Sequence, residues 1–508
     1  MKKRLATMFI MLLSLVLIFA GCGSNDTSKS DAAKTKDKEK DKTEVTSGAS
    51  KTSYTDPSKL KDTYDIVIIG AGGAGMSAAL EAKAKGLNPV ILEKMPLAGG
   101  NTMKASSGMN ASETKFQKEQ GINDSNDKFY EETLKGGHGT NNKEMLRFFV
   151  DNSASAIDWL DSMDIKLNNL TITGGMSEKR THRPEDGSAV GKYLVDGLLK
   201  NVQEEKIPVF VNADVKEITQ KDGKVTGVKV KLNNKDEKTI SSDAVVVTTG
   251  GYGANKDMIE KERPDLKGYV TTNQEGSTGD GIKMIEKLGG TTVDMDQIQV
   301  HPTVQQEKSY LIGEAVRGEG AILVSQDGKR FGNELDTRDN VTASINKLPE
   351  KSAYLVFDAG VKDRVKAIAQ YDEMGFVEEG KTIDELASKI NVPKEELKKT
   401  IDAWNTSVKN KKDEAYGRTT AMDNDLSKAP YYAIKIGPGI HYTMGGVKIN
   451  TNTEVLDKDG KPITGLFAAG EVTGGLHGEN RIGGNSVAEI IIFGRQAGDK
   501  SAEFVKAQ

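Results

Sequence analysis

Cysteine is almost absent from this chain of 508 residues, since Cys22 is the only one. A single cysteine excludes a disulfide framework, a Cys-ligated iron–sulfur cluster and a CxxCH haem site built within the chain. Neither sign of charge dominates, because 70 basic and 74 acidic residues give a formal net charge of -4. That balance provides no clustered basic surface for nucleic acid. The sequence also has no zinc-ligand cluster, no Ser-His-Asp pattern and no internal repeat.

The first 22 residues have the pattern of an export signal. A basic start, MKKR, precedes an apolar run from Leu5 to Ala20 and then Gly21 and Cys22. The run is too short and too early for a permanent membrane span. It resembles a bacterial lipoprotein signal, in which Cys22 is lipidated and becomes the mature N-terminus. We therefore expect an extracytoplasmic protein that is lipid-anchored to the membrane, at the cell surface or in the periplasm. A plain signal peptide with an incidental cysteine is the alternative.

Residues 23–60 contain almost nothing that can be buried, being mostly Ser, Thr, Asp, Lys and Gly. Such a composition predicts a disordered tether between lipid anchor and enzyme. Within it, the segment EVTSGAS from Glu44 to Ser50 loosely resembles a pattern at which some respiratory proteins carry covalent FMN on the last hydroxyl. Glu44 stands where that pattern has Asp. Covalent FMN at Ser50 is therefore a secondary prediction.

A short apolar run followed by glycines predicts a dinucleotide-binding turn. The run from Asp65 to Ile69 is typical of a parallel strand buried on both faces, and a helical pattern follows the glycines. In the segment GAGGAG between them, Gly70 permits a tight turn, Gly72 lets the backbone approach a pyrophosphate, and Gly75 lets the helix pack closely on the strand. A second strand ends at Glu93, where a carboxylate is expected to accept from the ribose hydroxyls.

Further small-residue segments favour FAD over NAD. They follow the second strand and end two later apolar strands. Another begins a predicted helix from Ser486 to Phe493, whose N-terminus can stabilise negative charge on a flavin. The predicted cofactor-binding residues are Gly70, Gly72, Gly73, Ala74, Gly75, Glu93, Asn101, Thr102, Ser107, Gly108, Met109, Gly250, Gly251, Gly470, Glu471, Ser486 and Val487.

Three more motifs carry polar residues suited to a carboxylate. His301 lies in QVHPT, His441 in GIHYTMGG and Arg481 in GENRIGG. Taken alone, a histidine of this kind is usually a satisfied structural residue, whereas an arginine can bind a carboxylate with two parallel hydrogen bonds. In this order, and with the FAD frame, the motifs resemble the flavoprotein family of fumarate reductase and succinate dehydrogenase. The likeness is closest to soluble exported flavocytochrome c-type fumarate reductases, and it extends from about Asp62 to the C-terminus.

The resemblance implies an enzyme that adds hydrogen across the double bond of an unsaturated carboxylate, with hydride from the flavin N5. His441 and Arg481 would hold one carboxylate and His301 would contact the other. Arg338, in the segment DTRD, matches the family's proton donor, where a permanent cation also stabilises a developing carbanion. Glu314 and Arg317 lie three apart on one helical face and match its proton relay. A structural salt-bridge network is the alternative for these charged residues.

The resemblance also implies the domain organisation. We expect an α/β fold, with a Rossmann-like FAD-binding domain at residues 61–301 and 438–508 and an inserted α+β capping domain at residues 302–437. A cap that closes over the substrate excludes water from it. The family's covalent flavin forms use a histidine shortly after the region matching GGNT, and none is present from Ser107 to Asn110. We therefore expect noncovalent FAD.

The sequence departs from the family at Gly313, where the family places a threonine whose hydroxyl helps to hold the second carboxylate. Losing one hydrogen bond to a charged group costs about 1.5–3 kcal/mol, and the missing side chain is expected to leave room. Thr173 and Leu311 stand where methionines line the family's pocket. Fumarate is therefore the leading substrate, and another unsaturated acid of acrylate, methacrylate, cinnamate or urocanate type is the alternative.

Other functions of the same fold remain open at this point. A ketosteroid dehydrogenase or an aspartate oxidase ranks below the reductase, because ketosteroid enzymes rely on tyrosines and lack this set of His and Arg. A flavoprotein that only carries electrons would have no use for carboxylate-binding residues. Because the chain cannot build a haem or iron–sulfur site with cysteine, we expect an external electron donor: a flavinylated or haem protein, or a quinol-linked carrier.

Overall fold

The computed structural model describes residues 54–235 and 237–508. The predicted signal peptide, Cys22 and Ser50 lie outside these described residues, so the predictions about them remain untested. Residues 54–60, which the composition assigns to the tether, are packed on the folded part: the Thr55 N–H donates to the Val209 carbonyl at 2.9 Å, and Leu60 is buried. Within the described ranges, every helix is too short or too polar to span a membrane.

The main part of the chain, residues 54–301 and 438–508, is built around one large sheet. Its strands before the insert are β1 Ile66–Ile69, β2 Pro89–Leu92, β3 Met109–Asn110, β4 Asn169–Thr171, β5 Thr181–Arg183, β6 Val209–Phe210, β7 Ala213–Lys221, β8 Lys224–Leu232, β9 Glu237–Ser241, β10 Ala244–Val247, β11 Val270–Thr271 and β12 Thr292–Val293. The helices of this region are α1 Gly73–Ala84, α2 Lys115–Glu119, α3 Asn126–Gly136, α4 Lys143–Asp151, α5 Ser153–Asp161, α6 Val190–Glu204, α7 Lys256–Glu262 and α8 Asp280–Lys287.

The insert, residues 302–437, is entered through one long strand and left through another. The strands, in chain order, are β13 Ile298–Gln305, β14 Tyr310–Leu311, β15 Ile322–Val324, β16 Ala353–Asp358, β17 Val377–Gly380 and β18 Tyr431–Thr443. The helices are α9 Ala315–Gly318, α10 Arg338–Asn346, α11 Ala359–Arg364, α12 Ala367–Glu373, α13 Ile383–Lys389 and α14 Lys394–Asn410. The chain returns to the main part through β19 Gly446–Val447, β20 Glu454–Leu456, β21 Pro462–Ala468 and α15 Asn485–Lys506.

The main sheet has the strand order β6-β2-β1-β10-β21-β8-β7, with β9 added beside β8 and β20 beside β21. Strand β1 lies between β2 and β10 and is parallel to both, with Ile66 opposite Pro89 and Ala244. Every residue of these three strands is buried, as the apolar runs in the sequence predict for parallel strands covered on both faces. The predicted α/β class with a Rossmann-like FAD-binding domain is confirmed.

Helices α1 and α15 pack against each other beside this sheet, and glycines make the contact close. A Cβ on Gly494 would lie 2.7 Å from the carbonyl oxygen of Ala74, and one on Gly498 would lie 2.4 Å from that of Ala78. Helix α15 is longer than the predicted segment, which ended at Phe493. The N-terminus of α15 lies at the same edge of the sheet as the glycine turn after β1.

The insert has its own apolar core, which runs from Ile312 to Ile436. Its sheet has the order β14-β13-β18-β16-β15, with β11 and β17 added beside β18. Strands β13 and β18 are antiparallel and place His301 opposite Gly439, so both predicted domain boundaries fall inside paired strands. The two crossings thus form one continuous ribbon, which carries His301 and His441 to the junction of the insert with the main part.

Candidate active site

A cavity of about 510 Å³ lies at the carboxyl ends of the central parallel strands. Its wall contains most of the predicted cofactor residues: Gly70, Gly72, Gly73, Ala74, Glu93, Asn101, Thr102, Gly250, Gly470, Glu471, Ser486 and Val487. Loops after β1, β10 and β21 meet here because parallel strands end at the same edge of a sheet. The N-termini of α1 and α15 supply amide donors at two places on this wall.

The glycine turn has the steric properties that a dinucleotide requires. Gly70 has φ +106°, and a Cβ there would lie 2.5 Å from the Thr248 carbonyl oxygen. A Cβ on Gly75 would lie 2.0 Å from the Gly70 oxygen, so only glycine permits this packing of α1 on β1. Gly72 differs, because the nearest atom to its Cβ position is 3.8 Å away and the residue faces the cavity. The turn therefore leaves space where a diphosphate would approach the backbone, and the residues present fit FAD.

Two buried carboxylates are held on the cavity wall by backbone and amide donors. Glu93 accepts from the N–H groups of Ala71 and Met95, each at 2.8 Å. Glu471 accepts from the Thr443 N–H at 3.1 Å and from the Asn101 side chain at 3.0 Å. Burial raises the pKa of both carboxyls. Their predicted contacts with the ribose and ribityl hydroxyls remain predictions.

Four predicted cofactor residues are placed beside the cavity wall and not on it, in addition to Gly75. Ser107, Gly108 and Met109 lead into β3, which pairs with β5 through Met109 and His182. Gly251 is packed so closely that a Cβ would lie 2.0 Å from the Thr443 hydroxyl. Ser106 lines the cavity in their place. The sequence pattern of small residues identified this segment but could not say which of two adjacent serines faces inward.

The two predicted substrate histidines lie next to each other, with ring centroids 5.1 Å apart, and His441 lines the cavity. Nδ1 of His441 shares a hydrogen bond with the Thr272 hydroxyl at 2.7 Å. Nδ1 of His301 accepts from the Thr303 N–H at 3.2 Å, which leaves the proton of a neutral ring on Nε2. That Nε2 is buried and has no partner among the described residues. Burial, followed by the positive charge of Arg338, lowers the pKa of both histidines well below its ordinary value, so both rings are neutral.

Three charged residues of the insert, Glu314, Arg317 and Arg338, form a continuous chain close to these histidines. Glu314 Oε1 lies 2.8 Å from Arg338 Nε and 3.4 Å from Arg317 Nη2. All three side chains are buried. Burial alone would raise the pKa of Glu314, but Arg338 and Arg317 outweigh it and hold this pKa far below its usual range. The carboxylate is therefore an anion between two cations, in the order predicted for a proton relay.

Arg481 lies close to this chain and is connected to it through Gln299. The Gln299 side-chain oxygen accepts from Arg338 Nη1 and from Arg481 Nη2, each at 2.9 Å. Burial, and then the charge of Arg338, lowers the pKa of Arg481 to about 10, which still leaves it a cation at pH 7. Its Nε is a buried donor without a partner in the described part of the chain. The sequence reasoning missed Gln299, although it stands two residues before His301 in the same motif.

An aromatic ring also fixes the position of the Arg481 guanidinium. It stacks on the Tyr442 ring, with 4.2 Å between the guanidinium carbon and the ring centroid. The Tyr442 hydroxyl donates to Glu489, which also lies 3.0 Å from Nε2 of His477. His477 therefore contributes to the support of this stack through Glu489.

The remaining histidines have structural partners. His182 is buried between the Thr114 hydroxyl and the Arg180 carbonyl, and burial lowers its pKa to about 4. His138 Nε2 forms an exposed hydrogen bond of 2.8 Å with Asp339 of α10. Neither touches the cavity wall.

The positions at which the sequence departs from the family it resembles are filled in specific ways. Thr173 donates to Glu314 at 2.6 Å, so it holds the Glu314 carboxylate where a methionine is expected. The room expected beside Gly313 is narrow, because a Cβ there would lie 3.0 Å from the Ser106 hydroxyl and 3.5 Å from that of Tyr371. Other side chains therefore occupy the space next to Gly313.

Comparison with known proteins agrees with this geometry. The FAD binding domain family matches residues 65–487. The chain is 51% identical to the NADH:fumarate oxidoreductase of Klebsiella pneumoniae (strain 342) over 441 residues, which is 87% of this chain and 48% of that protein. It thus spans about half the length of that relative. It is also 32% identical to the urocanate reductase of Eggerthella lenta over 470 residues, covering 88% of this chain and 76% of that one.

A solved structure is similar over the same region. The open conformation of a flavocytochrome c3 fumarate reductase matches with a TM-score of 0.73 and 40% sequence identity. The match covers 88% of this chain and 79% of the solved one.

Proposed function

Because the chain belongs to the FAD binding domain family and is an FAD-dependent oxidoreductase, we propose that it reduces fumarate to succinate. The observation that carries this proposal is the buried chain Arg338–Glu314–Arg317, which Gln299 connects to Arg481. The charge of Arg338 acts on two neutral histidines, and one of them, His441, lines the cavity. These groups are suited to a substrate with two carboxylates and to the delivery of one proton.

Each residue has a distinct part in the proposed reaction. When bound, the reduced flavin supplies the hydride that adds to the alkene. Arg481, held by Gln299 and Tyr442, binds one carboxylate and orients it. His301 and His441 are neutral and offer single N–H donors. They therefore bind the substrate without adding charge beside the two arginines.

Arg338 donates the proton to the carbon on which negative charge develops. Its Nε is held by Glu314 at 2.8 Å, and Glu314 in turn lies 3.4 Å from Arg317. The proton that Arg338 gives up is replaced by one that passes from Arg317 through the Glu314 carboxylate, and the positive charge that Arg338 carries before the transfer stabilises the developing negative charge. The burial of all three residues keeps water away from the charge transfer.

Reduction of another unsaturated acid is the second candidate function, and the residues around Gly313 support it. The family's threonine is absent there, and Leu311 and Thr173 replace the expected methionines. An acrylate, methacrylate, cinnamate or urocanate type of substrate would use the same proton relay. A flavin electron carrier without a substrate is the third candidate and leaves the relay unexplained.

The test is anaerobic reoxidation of reduced viologen by the FAD-loaded protein with fumarate, acrylate, methacrylate, cinnamate and urocanate. We expect rapid turnover of fumarate, and a loss of about 10²- to 10⁴-fold in Arg338→Ala with FAD content unchanged. Turnover of another enoate in place of fumarate would support the proposed mechanism and identify a different substrate. No turnover with any acid in the panel would contradict the proposal.

We also propose that the enzyme works outside the cytoplasm, anchored through lipid on Cys22 and fed by an external electron donor. The support is the signal pattern and the single cysteine of the sequence. Fractionation of cells that express wild type and Cys22→Ala tests this. Retention of the variant in the membrane fraction would contradict it.

A further inference from the structure

The cavity wall at Gly313 carries two hydroxyl groups from different parts of the molecule. The Gly313 N–H donates to the Tyr371 hydroxyl oxygen at 3.1 Å, and Tyr371 belongs to α12 of the insert. A Cβ on Gly313 would lie 3.0 Å from Oγ of Ser106, which belongs to the main part. Both hydroxyls line the cavity together with His441. They therefore occupy the space that a side chain at position 313 would fill.

Neither hydroxyl proton is committed to the protein. Tyr371 accepts the Gly313 N–H, and within the described ranges no acceptor receives its own proton. The Ser106 hydroxyl makes no hydrogen bond to any described residue. Tyr371 is only 2% exposed, and a buried donor left unsatisfied costs about 1–3 kcal/mol. Tyr371 is thus a buried donor and Ser106 a partly exposed one, and both lie on the wall of a cavity where a ligand can supply the acceptor.

The electrostatic surroundings favour an anionic acceptor. Arg183 of β5 is 5% exposed, and its guanidinium forms no hydrogen bond or ion pair with the described residues. Its positive charge acts on the Tyr371 hydroxyl, although burial dominates and raises the pKa of Tyr371 to about 12. The hydroxyl is therefore a neutral donor at pH 7 within the influence of a buried cation that forms no ion pair with the described residues.

We propose that Tyr371 and Ser106 donate hydrogen bonds to the second carboxylate of the substrate, the one that Arg481 does not hold. Tyr371 thereby selects dicarboxylic over monocarboxylic enoates. Because one donor comes from the insert and the other from the main part, the bound carboxylate joins the two. This inference rests on the proposed reductase function and names the residues that decide its substrate class.

The test compares fumarate with acrylate in wild type, Tyr371→Phe and Ser106→Ala holoenzymes. Tyr371→Phe removes only the hydroxyl, so we expect the KM for fumarate to rise about 10- to 100-fold, with kcat within about 3-fold of wild type. The kcat/KM for acrylate, which has no second carboxylate, should stay within about 3-fold. Ser106→Ala should give a smaller shift in the same direction.

Tyr432→Phe is the matched control, since Tyr432 is a buried tyrosine of the insert that does not line the cavity. Tyr432→Phe should leave the KM and kcat for fumarate and for acrylate unchanged. An equal loss for fumarate and acrylate in Tyr371→Phe, or a loss in kcat alone, would overturn the inference. FAD content measured on each variant separates these outcomes from a folding defect.

A second measurement keeps this inference separate from the proposed activity. Binding of succinate and of propionate to the oxidised holoenzyme is followed by the change in flavin absorbance. We expect Tyr371→Phe to weaken succinate binding about 10- to 100-fold and to leave propionate unchanged. If wild type fails to turn over fumarate but shows this pattern, the proposed activity fails and the dicarboxylate site stands. If wild type does not prefer succinate to propionate, the dicarboxylate site is refuted.

Discussion

The parallel strands under the cofactor cavity and the junction with the insert bury opposite kinds of residue. Strands β1, β2 and β10 are wholly buried and almost entirely aliphatic. At the junction, Arg338, Glu314, Arg317 and Arg481 are equally buried but ionised. The first region depends on shape, with glycines that admit a nucleotide. The second depends on charge, where each ion is stable only because its neighbours compensate the loss of water.

This difference predicts two ways in which the protein fails. Steric changes in the glycine turn should remove the cofactor or the fold. Changes of charge at the junction should remove turnover and leave the cofactor bound. The following predictions test that separation, beginning with the largest expected effect.

Gly75→Ala should disrupt the main part, because its Cβ would lie 2.0 Å from the Gly70 carbonyl oxygen. We expect a loss of about 3 kcal/mol or more in the free energy of unfolding, together with the loss of FAD. Gly72→Ala is the matched control, since its Cβ has no atom nearer than 3.8 Å. Without FAD, Gly72→Ala should have a free energy of unfolding within about 0.5 kcal/mol of wild type. Its affinity for FAD should nevertheless be at least about 10-fold lower than that of wild type. Chemical denaturation and FAD content measure both, and a Gly75→Ala protein as stable as wild type would contradict the packing argument.

Glu314→Gln should stop turnover without releasing FAD. It removes the anion between Arg338 and Arg317, so the proton on Arg338 can no longer be replaced through the carboxylate. We expect kcat to fall by about 10²- to 10⁴-fold. Thr173→Val keeps the carboxylate and removes only its 2.6 Å hydrogen bond, so its loss should stay below about 10-fold. Steady-state kinetics measure kcat, and flavin absorbance measures the bound FAD. Equal losses of kcat in the two variants would argue against a relay through Glu314.

The pH dependence of stability should follow the buried histidines. Burial lowers the pKa of His182 to about 4, from about 6.5 when unfolded. The stability that this neutral ring contributes is complete above pH 6.5 and is lost as the pH falls, because the unfolded chain takes up the proton first. At pH 5 the loss from His182 should be about 2 kcal/mol.

Urea denaturation of wild type and His182→Gln at pH 7.5 and pH 5 checks this prediction. The glutamine cannot titrate, so the difference in unfolding free energy between the two proteins should shrink by about 2 kcal/mol at the lower pH. His301 and His441 titrate in the same direction in both proteins and cancel in the comparison. An unchanged difference would show that His182 does not titrate as described.

The two regions also differ in how far the sequence predicts them. The α/β class, strands β1, β2 and β10, and the FAD-binding turn were all predicted, because local apolar runs and glycine spacing determine them. The end of α15 was not predicted. The helix continues beyond Phe493 because the residues that follow pack on α1. The start of the folded part was also placed too late, because Leu60 is buried by contacts with residues far along the chain.

At the junction the motifs indicated the chemical types of the residues but not their arrangement. Gln299 bridges two arginines, Thr173 holds Glu314, and Ser106 and Tyr371 lie beside Gly313. These contacts join residues that are between 39 and 207 positions apart in the sequence. The roles proposed for His301, His441, Arg338 and Arg481 remain predictions that the kinetic experiments test.

The sequence by itself determined the family, the flavin cofactor and the set of charged residues available to a substrate, because these follow from motifs that act over a few residues. Only the tertiary structure decided which of those residues meet. The ribbon of β13 and β18 brings two histidines together, and the insert brings Tyr371 to Ser106. The physical reason is that burial and charge compensation are properties of neighbours in space, and no local pattern in the chain specifies those neighbours.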